Sequence, residues 1–484
     1  LSLHDALPIF LHKTLAYADP LDVSAFSRTS KTAKFFCDND TLWKELFLSL
    51  FDPPRSSVTY PFRSTLQTRI RARTWLAPDA IAKLSDSASD HEATLRALVD
   101  IAKSRLPHTS PLPSRSQLFL STYFQHDTPH LTLDIIRPSS IHNKASRSLY
   151  SHLHVFSTPQ LRCNALGSPR ARTKAREVVY ERLNFLRNSN WGPFQSDGSG
   201  LVDWTKMEAL ATVMGANLRE ALAEDWAEDE RDGIELPEGW DSTRSGDQEQ
   251  SGETASSQHD WAGVEATAWV GTYAFLDFRV WEHYNLHRRK GYHPSLHDEG
   301  ESVGDCMSLK LTLLPPGELS TPPAAMDDLS DSDDSDYAAS LEGSAASTDE
   351  DDFPSTSLSE PSPSFVFPSS SPLPSTASTS PPLSFSGTTS PLQFNGTFSH
   401  AGLNSSATSA RSIRGTVSKT PEGEVHWTYV IRYGGTDQWT MNGVQVGGAG
   451  SRFGVLGTWT AADHEDGSPH GPFWYIFLRA WWEE

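Results

Sequence analysis

The sequence predicts an α+β multidomain chain: short N-terminal helices, a helical middle region, and a C-terminal antiparallel β-barrel-like domain split by a disordered insert. Three observations predict it. Apolar residues recur at helical spacing through residues 10–54 and in the clearest stretches of 56–223. From residue 261 the composition turns aromatic and β-branched, and the period falls to two. Between the strand-rich stretches, residues 317–411 are Ser, Pro, Thr and Asp, with too little apolar content to offset the entropy of ordering. The expected segments are 1–55, 56–223, an acidic flexible 224–260, a first β-part 261–316, the insert 317–411 and a second β-part 412–484.

At 484 residues the chain has ample material for a core. Its net charge of −21 is concentrated. Residues 224–253 carry a balance of −10 and residues 327–352 one of −11, which together account for all of it. A near-neutral body with two acidic segments offers no footprint for nucleic acid. Such blocks are usually solvated. Cys37, Cys163 and Cys306 are too few and too scattered for a disulfide framework or a zinc site. No apolar run is long enough for a membrane span, and no secretory signal is visible. The expected location is therefore cytoplasmic and/or nuclear, and the sequons at Asn395 and Asn404 read as chance. The chain starts with Leu, and "LSLHDALPI" looks like translated sequencing-adapter DNA. Residues 1–9 are expected to be artefactual and the N-terminus incomplete.

The N-terminal helices come next in order. Phe10, Leu11, Thr14, Leu15 and Ala18 share a helical face. Asp19 is expected to cap a helix with Pro20 at its first position and Asp22 at its third. Val23 and Phe26 share a face of that helix. Asp40 is expected to cap a further one, with Trp43, Leu46, Phe47 and Leu50 as its stripe, ended by Asp52-Pro53-Pro54. Three or four short helices cannot hide this much apolar surface among themselves. Some of it must pack on the helices after them or on another protein. The middle region, including "TKAREVVYERLNFLRN" and "WTKMEALATVMGANLREALAED", reads as a helical spacer that orients the β-region.

In the β-region, "WVGTYAFLDFRVWEHYN" has strand composition. "MSLKLTLL" alternates, with Met307, Leu309, Leu311 and Leu313 on one face. Strand signals resume at "SIRGTVS", "EVHWTYVIRY", "QWTMNGVQVGG", "FGVLGTWTAAD" and "GPFWYIFL", with a hairpin at Gly434-Gly435. Gly271-Thr272-Tyr273 and Gly457-Thr458-Trp459 repeat a tripeptide reminiscent of small closed barrels. There Gly permits close approach and the aromatic plugs an end.

Few residue groups suggest chemistry. A calcium loop at "DGSGLVDW", centred on Gly200, would place Gln195 and Lys206 where carboxylates are needed, so a turn leading into a helix capped by Asp203 or Ser199 is preferred. In "ADHEDGSPH", Asp463, His464, Glu465, Asp466 and His470 could serve a metal or acid–base work. Adjacent residues diverge in direction, however, and a solvated hairpin turn is preferred. No metal or cofactor is expected. Most of the strand aromatics are expected in the core. An aromatic pocket in the barrel would draw on Arg432, Asp437, Trp439, Asn442, Trp459, His464 and Trp474 to hold a peptide. Acids three residues after Ser330, Ser347 and Thr348 suit an acid-directed kinase, against the plainer reading of a solubilising linker.

"DPLDVSAFSRTSK", Cys37 and "LWKELFLSLFDPP" resemble the F-box, the module that docks on the Skp1 adaptor of SCF ubiquitin ligases. The matching residues are Leu7-Pro8, Leu15, Asp19-Pro20, Leu21, Val23, Phe26, Ser27, Lys31 and Leu42-Trp43. "GPFQSDGSGLVDW", "FLDFRVWEHYN", "GDCMSLKLTL", "DQWTMNGVQVGG", "GVLGTW", "DHED" and "GPFWY" are similar to fungal F-box proteins with a C-terminal β-domain. The domain order also resembles the cyclin-D-binding type. The resemblance implies a non-catalytic substrate receptor. It would bind a Skp1-like adaptor, and through it a cullin-RING ligase, by Leu15, Pro20, Leu21, Val23, Phe26, Leu42, Trp43 and Leu46. Its β-domain would present a protein substrate. The competing readings are a barrel that binds a small ligand or performs acid–base chemistry, and an F-box adaptor that holds a partner without ubiquitylation.

Overall fold

The computed structural model describes residues 3–54, 60–77, 80, 88–104, 114–123, 144–157, 169–224, 260–265, 268–289, 296, 301–304, 306–315, 390–400, 411–449, 451, 453–464, 468 and 470–478. The acidic stretch 225–259, the phosphorylation candidates at 330, 347 and 348, and residues 465–467 lie outside the described residues.

Four short helices open the chain: α1 (Leu3–Ala16), α2 (Pro20–Ser27), α3 (Lys31–Cys37) and α4 (Asp40–Leu50). Side-chain caps set their starts. The Asp19 carboxylate accepts the Leu21 N–H at 2.8 Å, and Ser30 accepts that of Ala33 at 3.0 Å. The cap of α4 is Asn39, which accepts the Thr41 N–H at 2.9 Å, and not the expected Asp40. Asp40 sits one position inside, where its charge still favours the helix N-terminus. Asp52 turns back after α4, and its buried carboxylate accepts the Ser114 hydroxyl and the Arg115 N–H (2.8 Å) at the start of a later helix.

The helical middle is α5 (Phe62–Trp75), α6 (Ala88–Lys103), α7 (Arg115–Tyr123), α8 (Lys144–Ser157), α9 (Pro169–Val179) and α10 (Trp204–Glu224). The first helices do not stand apart from it. Phe47 meets Tyr60 and Phe62 edge-on at 5.4 and 5.5 Å, and Phe51 packs on Phe119 at 5.1 Å. Arg69, buried on α5, lies over the Phe47 and Phe51 rings and pairs with Asp100 at 2.7 Å.

The β-region is a closed, antiparallel, eight-stranded barrel. Its strands are β1 (Ala268–Leu276), β3 (Met307–Leu313), β4 (Leu392–His400), β5 (Ser412–Lys419), β6 (Val425–Tyr433), β7 (Thr436–Gln445), β8 (Val455–Ala461) and β9 (His470–Leu478). β9 returns to pair with β1, while the short β2 (Glu301–Val303) extends the far end of β1. Closure leaves no open edge along the ring. Gly434 and Gly435, at φ 53° and 81°, form the two-residue hairpin between β6 and β7.

Three expectations require correction. "TKAREVVYERLNFLRN" is α-helical only to Val179, and short 3-10 turns at Arg182–Asn184 and Arg187–Ser189 come after it. "FRVWEHYN" is not strand: β1 ends at Leu276, and α11 (Phe278–Arg289) comes after it. Asp277 accepts the Arg279 and Val280 N–H groups as its cap, and Trp281 and Tyr284, three apart, are its buried face. Composition favoured strand, but cap and spacing decide for helix. The insert is also shorter than 317–411, because β4 lies inside that range and pairs with β3 and β5. Its Phe394 and Phe398 face the barrel interior, and the Ser/Thr-rich surroundings hid this alternation.

The barrel is fused to the helices rather than spaced from them. The outward side chains Val270, Ala274, Leu456, Trp474 and Ile476 join the core of α8 and α10. Lys103 on α6 pairs at 2.6 Å with buried Glu424, in the turn before β6. The inward side chains make a second core, which includes Trp269, Trp427, Tyr429, Phe473 and Tyr475.

Candidate functional site

Two regions present side chains that internal packing does not account for. The first is the N-terminal helices. Val23, Leu42, Trp43 and Leu46 are at most 2% exposed, and Leu15 and Pro20 are also buried. Phe26 is half-buried against the same core. Of the eight residues that the resemblance assigned to the adaptor, only Leu21 projects outward, at 48% exposure. The other exposed large apolar side chains of this unit are Ile9, Phe10, Tyr17 and Phe35. These helices therefore present Ile9, Phe10, Tyr17, Leu21 and Phe35 to solvent, while Trp43 lies in the core. Period alone missed this, because these short helices are apolar on both faces.

The second region is one end of the barrel, where the β6–β7 hairpin, the β8–β9 connection and the end of β1 meet. Arg432 and Arg414 both grip the Asp437 carboxylate, Arg432 through Nε at 2.7 Å. Trp439 and Trp459 stand edge to face at 5.0 Å, and Tyr273 closes on Trp459 at 6.2 Å. The two Gly-Thr-aromatic tripeptides thus deliver both aromatics to the same barrel end. A Cβ on Gly271 would lie 2.1 Å from the Trp474 carbonyl oxygen, and one on Gly457 would lie 2.1 Å from that of Asn442. Both glycines are there for close approach. Each threonine is fully buried: Thr272 donates to the Gly304 carbonyl, and Thr458 donates to the Trp191 carbonyl at 2.7 Å.

Beside this end, His464 stacks on Trp191, and its Nδ1 is 3.0 Å from the Thr460 hydroxyl. Burial pushes the His464 pKa down, opposed by the nearby Asp463 charge. Four further large apolar side chains are exposed in elements that pack together here. They are Leu183 and Leu186, in turns after α9, and Phe278 and Leu286 on α11. Asn285 of α11 ties the two elements by accepting the Arg182 N–H and donating to the Tyr180 carbonyl. No sequence motif marked Leu183, Leu186, Leu286 or Trp191, and Phe278 lies in a stretch whose composition points to strand. Leu183, Leu186 and Trp191 are apolar residues in short irregular segments, whereas Phe278 and Leu286 lie on α11.

Two of the expected pocket residues lie elsewhere. Asn442 is 4% exposed on the outer face of β7 and accepts from Thr428 at 3.0 Å. Trp474 is fully buried against the helices, its indole N–H on the Phe453 carbonyl at 2.7 Å. Both face away from the lumen, because alternation along β7 and β9 sends them to the opposite side from Met441 and Tyr475. Arg432, Asp437, Trp439, Trp459 and His464 do share one end.

No group of three metal-ligating side chains exists among the described residues. His470 is buried and donates to the Val179 carbonyl at 2.8 Å, and burial pushes its pKa down to about 4. His464 is occupied by its stack. In the calcium-like loop, Asp203 caps α10 as expected, accepting the Thr205 N–H. The buried Lys206 ammonium donates to the carbonyls of Asn184 (2.7 Å) and Phe194 (3.0 Å), so the loop carries its own cation. No described helix is long and apolar enough to cross a membrane. No family model, curated protein or solved structure matches the chain.

Proposed function

We propose that the protein is the substrate-recognition subunit of an SCF-type ubiquitin ligase, acting in the cytoplasm or nucleus. One observation carries this reading. The F-box-like helices have a filled interior, yet Phe10, Tyr17, Leu21 and Phe35 project into solvent. Large apolar side chains held outward by a complete core are what a docking module needs. In this reading α1 to α3 meet a Skp1-like adaptor, and the barrel end with Trp439, Trp459, His464 and the Arg432–Asp437–Arg414 cluster meets a protein substrate. The chain performs no covalent step. It raises the effective concentration of substrate lysines beside the ubiquitin-charged E2, which is catalysis by proximity.

The test is co-purification of the full chain with a recombinant Skp1-like adaptor. Wild-type protein is expected to bind, and Leu21→Asp plus Phe35→Asp to lose binding while melting at the wild-type temperature. Leu118→Asp, at an exposed apolar residue of α7, is the control that retains it. Failure of the wild type to bind, or unchanged binding by the double variant, overturns the reading. For the substrate half, proximity labelling with and without proteasome inhibition should enrich proteins whose half-life lengthens when this chain is depleted.

A further inference from the structure

The turns after α9 and the helix α11 share one floor. Phe185 and Trp281 both pack on the buried His470 ring, at 5.3 and 5.9 Å. Asn285 of α11 accepts the Arg182 N–H at 2.9 Å and donates to the Tyr180 carbonyl at 3.1 Å. Leu183, Leu186, Phe278 and Leu286 therefore lie along one seam, each between 38% and 54% exposed. Single apolar residues scattered on a surface need no explanation, whereas four along one seam mark a surface that something covers.

The two elements are also basic. Residues 169–190 and 277–289 hold nine Arg and Lys against four Asp and Glu. With Glu301 counted, which Arg172 and Arg176 grip, the surplus is still four. Arg170, Lys174, Arg187 and Arg279 are exposed. A second copy of this surface would be repelled by it, and the covering group should be apolar and acidic. Residues 224–253 of the same chain have that chemistry, with a balance of −10. Within them, "IELPEGW" sets Ile234, Leu236 and Trp240 among Glu235, Glu238 and the following Asp241.

The starting point of this segment suits the seam. Lys206, near the start of α10, donates to the Asn184 carbonyl, and Asn217 further along accepts from Arg172. α10 thus runs antiparallel to α9, and Glu224 at its end lies about 27 Å beyond Lys206 along the helix. The ten residues from Glu224 to Ile234 span up to about 35 Å, which is enough to return to the seam. The other acidic block, 327–352, follows β3, and Leu313 at the end of β3 lies at the barrel end away from α11. We propose that residues 230–241 of this chain dock on the seam. Ile234, Leu236 and Trp240 meet its apolar side chains, and the acids among them meet its arginines. An outside protein of the same chemistry has to displace this segment to bind there. Neither the adaptor-facing residues nor the Arg432–Asp437–Arg414 cluster takes part, so the contact stands or falls separately from those readings.

Photo-cross-linking of the full chain tests the contact directly. With Phe278→p-benzoylphenylalanine, irradiation should join position 278 to a peptide from residues 225–245 of the same chain, mapped by mass spectrometry. Leu118→p-benzoylphenylalanine, at an exposed residue of α7, should give no such product. A fluorescein-labelled peptide of residues 230–243 supplies the second readout. A tethered segment competes at an effective concentration on the order of millimolar. The peptide should therefore bind the full-length triple variant Ile234→Ser, Leu236→Ser, Trp240→Ser about tenfold more tightly than the wild-type chain. Adding Phe278→Asp and Leu286→Asp to that variant should abolish binding, and 0.5 M salt should weaken it several-fold. The cross-link needs no charge in the seam, so it decides alone if the Asp variant melts early. No cross-link into 225–245, equal affinity for wild type and the triple variant, no binding to either, or binding that survives both Asp changes in a folded protein would each overturn the proposal.

Discussion

The indole of Trp191 lies flat on the imidazole of His464, with ring centroids 3.8 Å apart and planes 4° from parallel. Both residues hold a left-handed backbone, φ 51° and 53°, as does Asn190 at φ 51°. This conformation is uncommon outside glycine and costs on the order of 1–3 kcal/mol per residue, so surrounding contacts must hold it. Two threonines of β8 do so, Thr458 through the Trp191 carbonyl and Thr460 through His464 Nδ1.

Replacing Thr458 with Val keeps the shape and removes the hydroxyl, leaving the Trp191 carbonyl without its donor. The expected loss is about 1–3 kcal/mol. Urea unfolding measures it, and the near-ultraviolet circular dichroism of the stacked indole should weaken alongside. Wild-type stability in Thr458→Val would mean that the threonine does not hold this loop on the barrel.

The apolar residues of the N-terminal helices should divide by burial. Trp43→Ala empties a packed site, and its expected cost is about 3–5 kcal/mol. Leu21→Asp lies on the surface and should stay within about 0.5 kcal/mol of wild type. Thermal melts of the two variants check the division. Equal effects would mean that α2 is buried against something else.

Stability should fall with acid in a defined window. Burial holds His426 and His470 each near a pKa of about 4, against 6.5 in the unfolded chain. The unfolded state therefore takes up protons first. The stability that these histidines confer is fully present above pH 6.5 and is lost as pH falls toward 4. Each contributes about 3 kcal/mol to that loss in the limit. Unfolding free energies at intervals from pH 8 to 4 should bend downward below 6.5, and His470→Gln should flatten the bend. A flat profile down to pH 4 would contradict the burial of both rings.

Gly457→Ala should damage the barrel more than its size suggests. The new methyl would sit 2.1 Å from the Asn442 carbonyl oxygen and 2.5 Å from Gly443 Cα, and backbone cannot step aside as a side chain can. A cost of about 1–3 kcal/mol or more is expected. Denaturant midpoints of this variant and of Gly271→Ala, which meets the Trp474 carbonyl in the same way, test it.

Local pattern was a good guide wherever the deciding contacts are local. Asp19 and Pro20 announce α2, Asp203 announces α10, Gly434-Gly435 announces a hairpin, and the alternation of Met307 to Leu313 announces β3. It failed at β4, where the Ser/Thr-rich setting concealed Phe394 and Phe398. It failed again at α11, where aromatic composition outweighed the Asp277 cap. In the candidate site, Trp439, Trp459 and His464 were legible as aromatic or ionisable residues near turns. Trp191 was not, since what distinguishes it is a partner 273 positions away.

The sequence by itself determined several caps and turns, the charge-rich segments and the excess of apolar residues in the first fifty positions. Tertiary structure alone decided which of those apolar residues face inward, so that Trp43 is core and Phe35 is surface. It alone closed β9 onto β1 and brought Tyr429 and Tyr475 into one lumen. The reason is the range of the forces. Capping and strand alternation act over a few residues, whereas burial is set by whatever distant element arrives to cover a side chain.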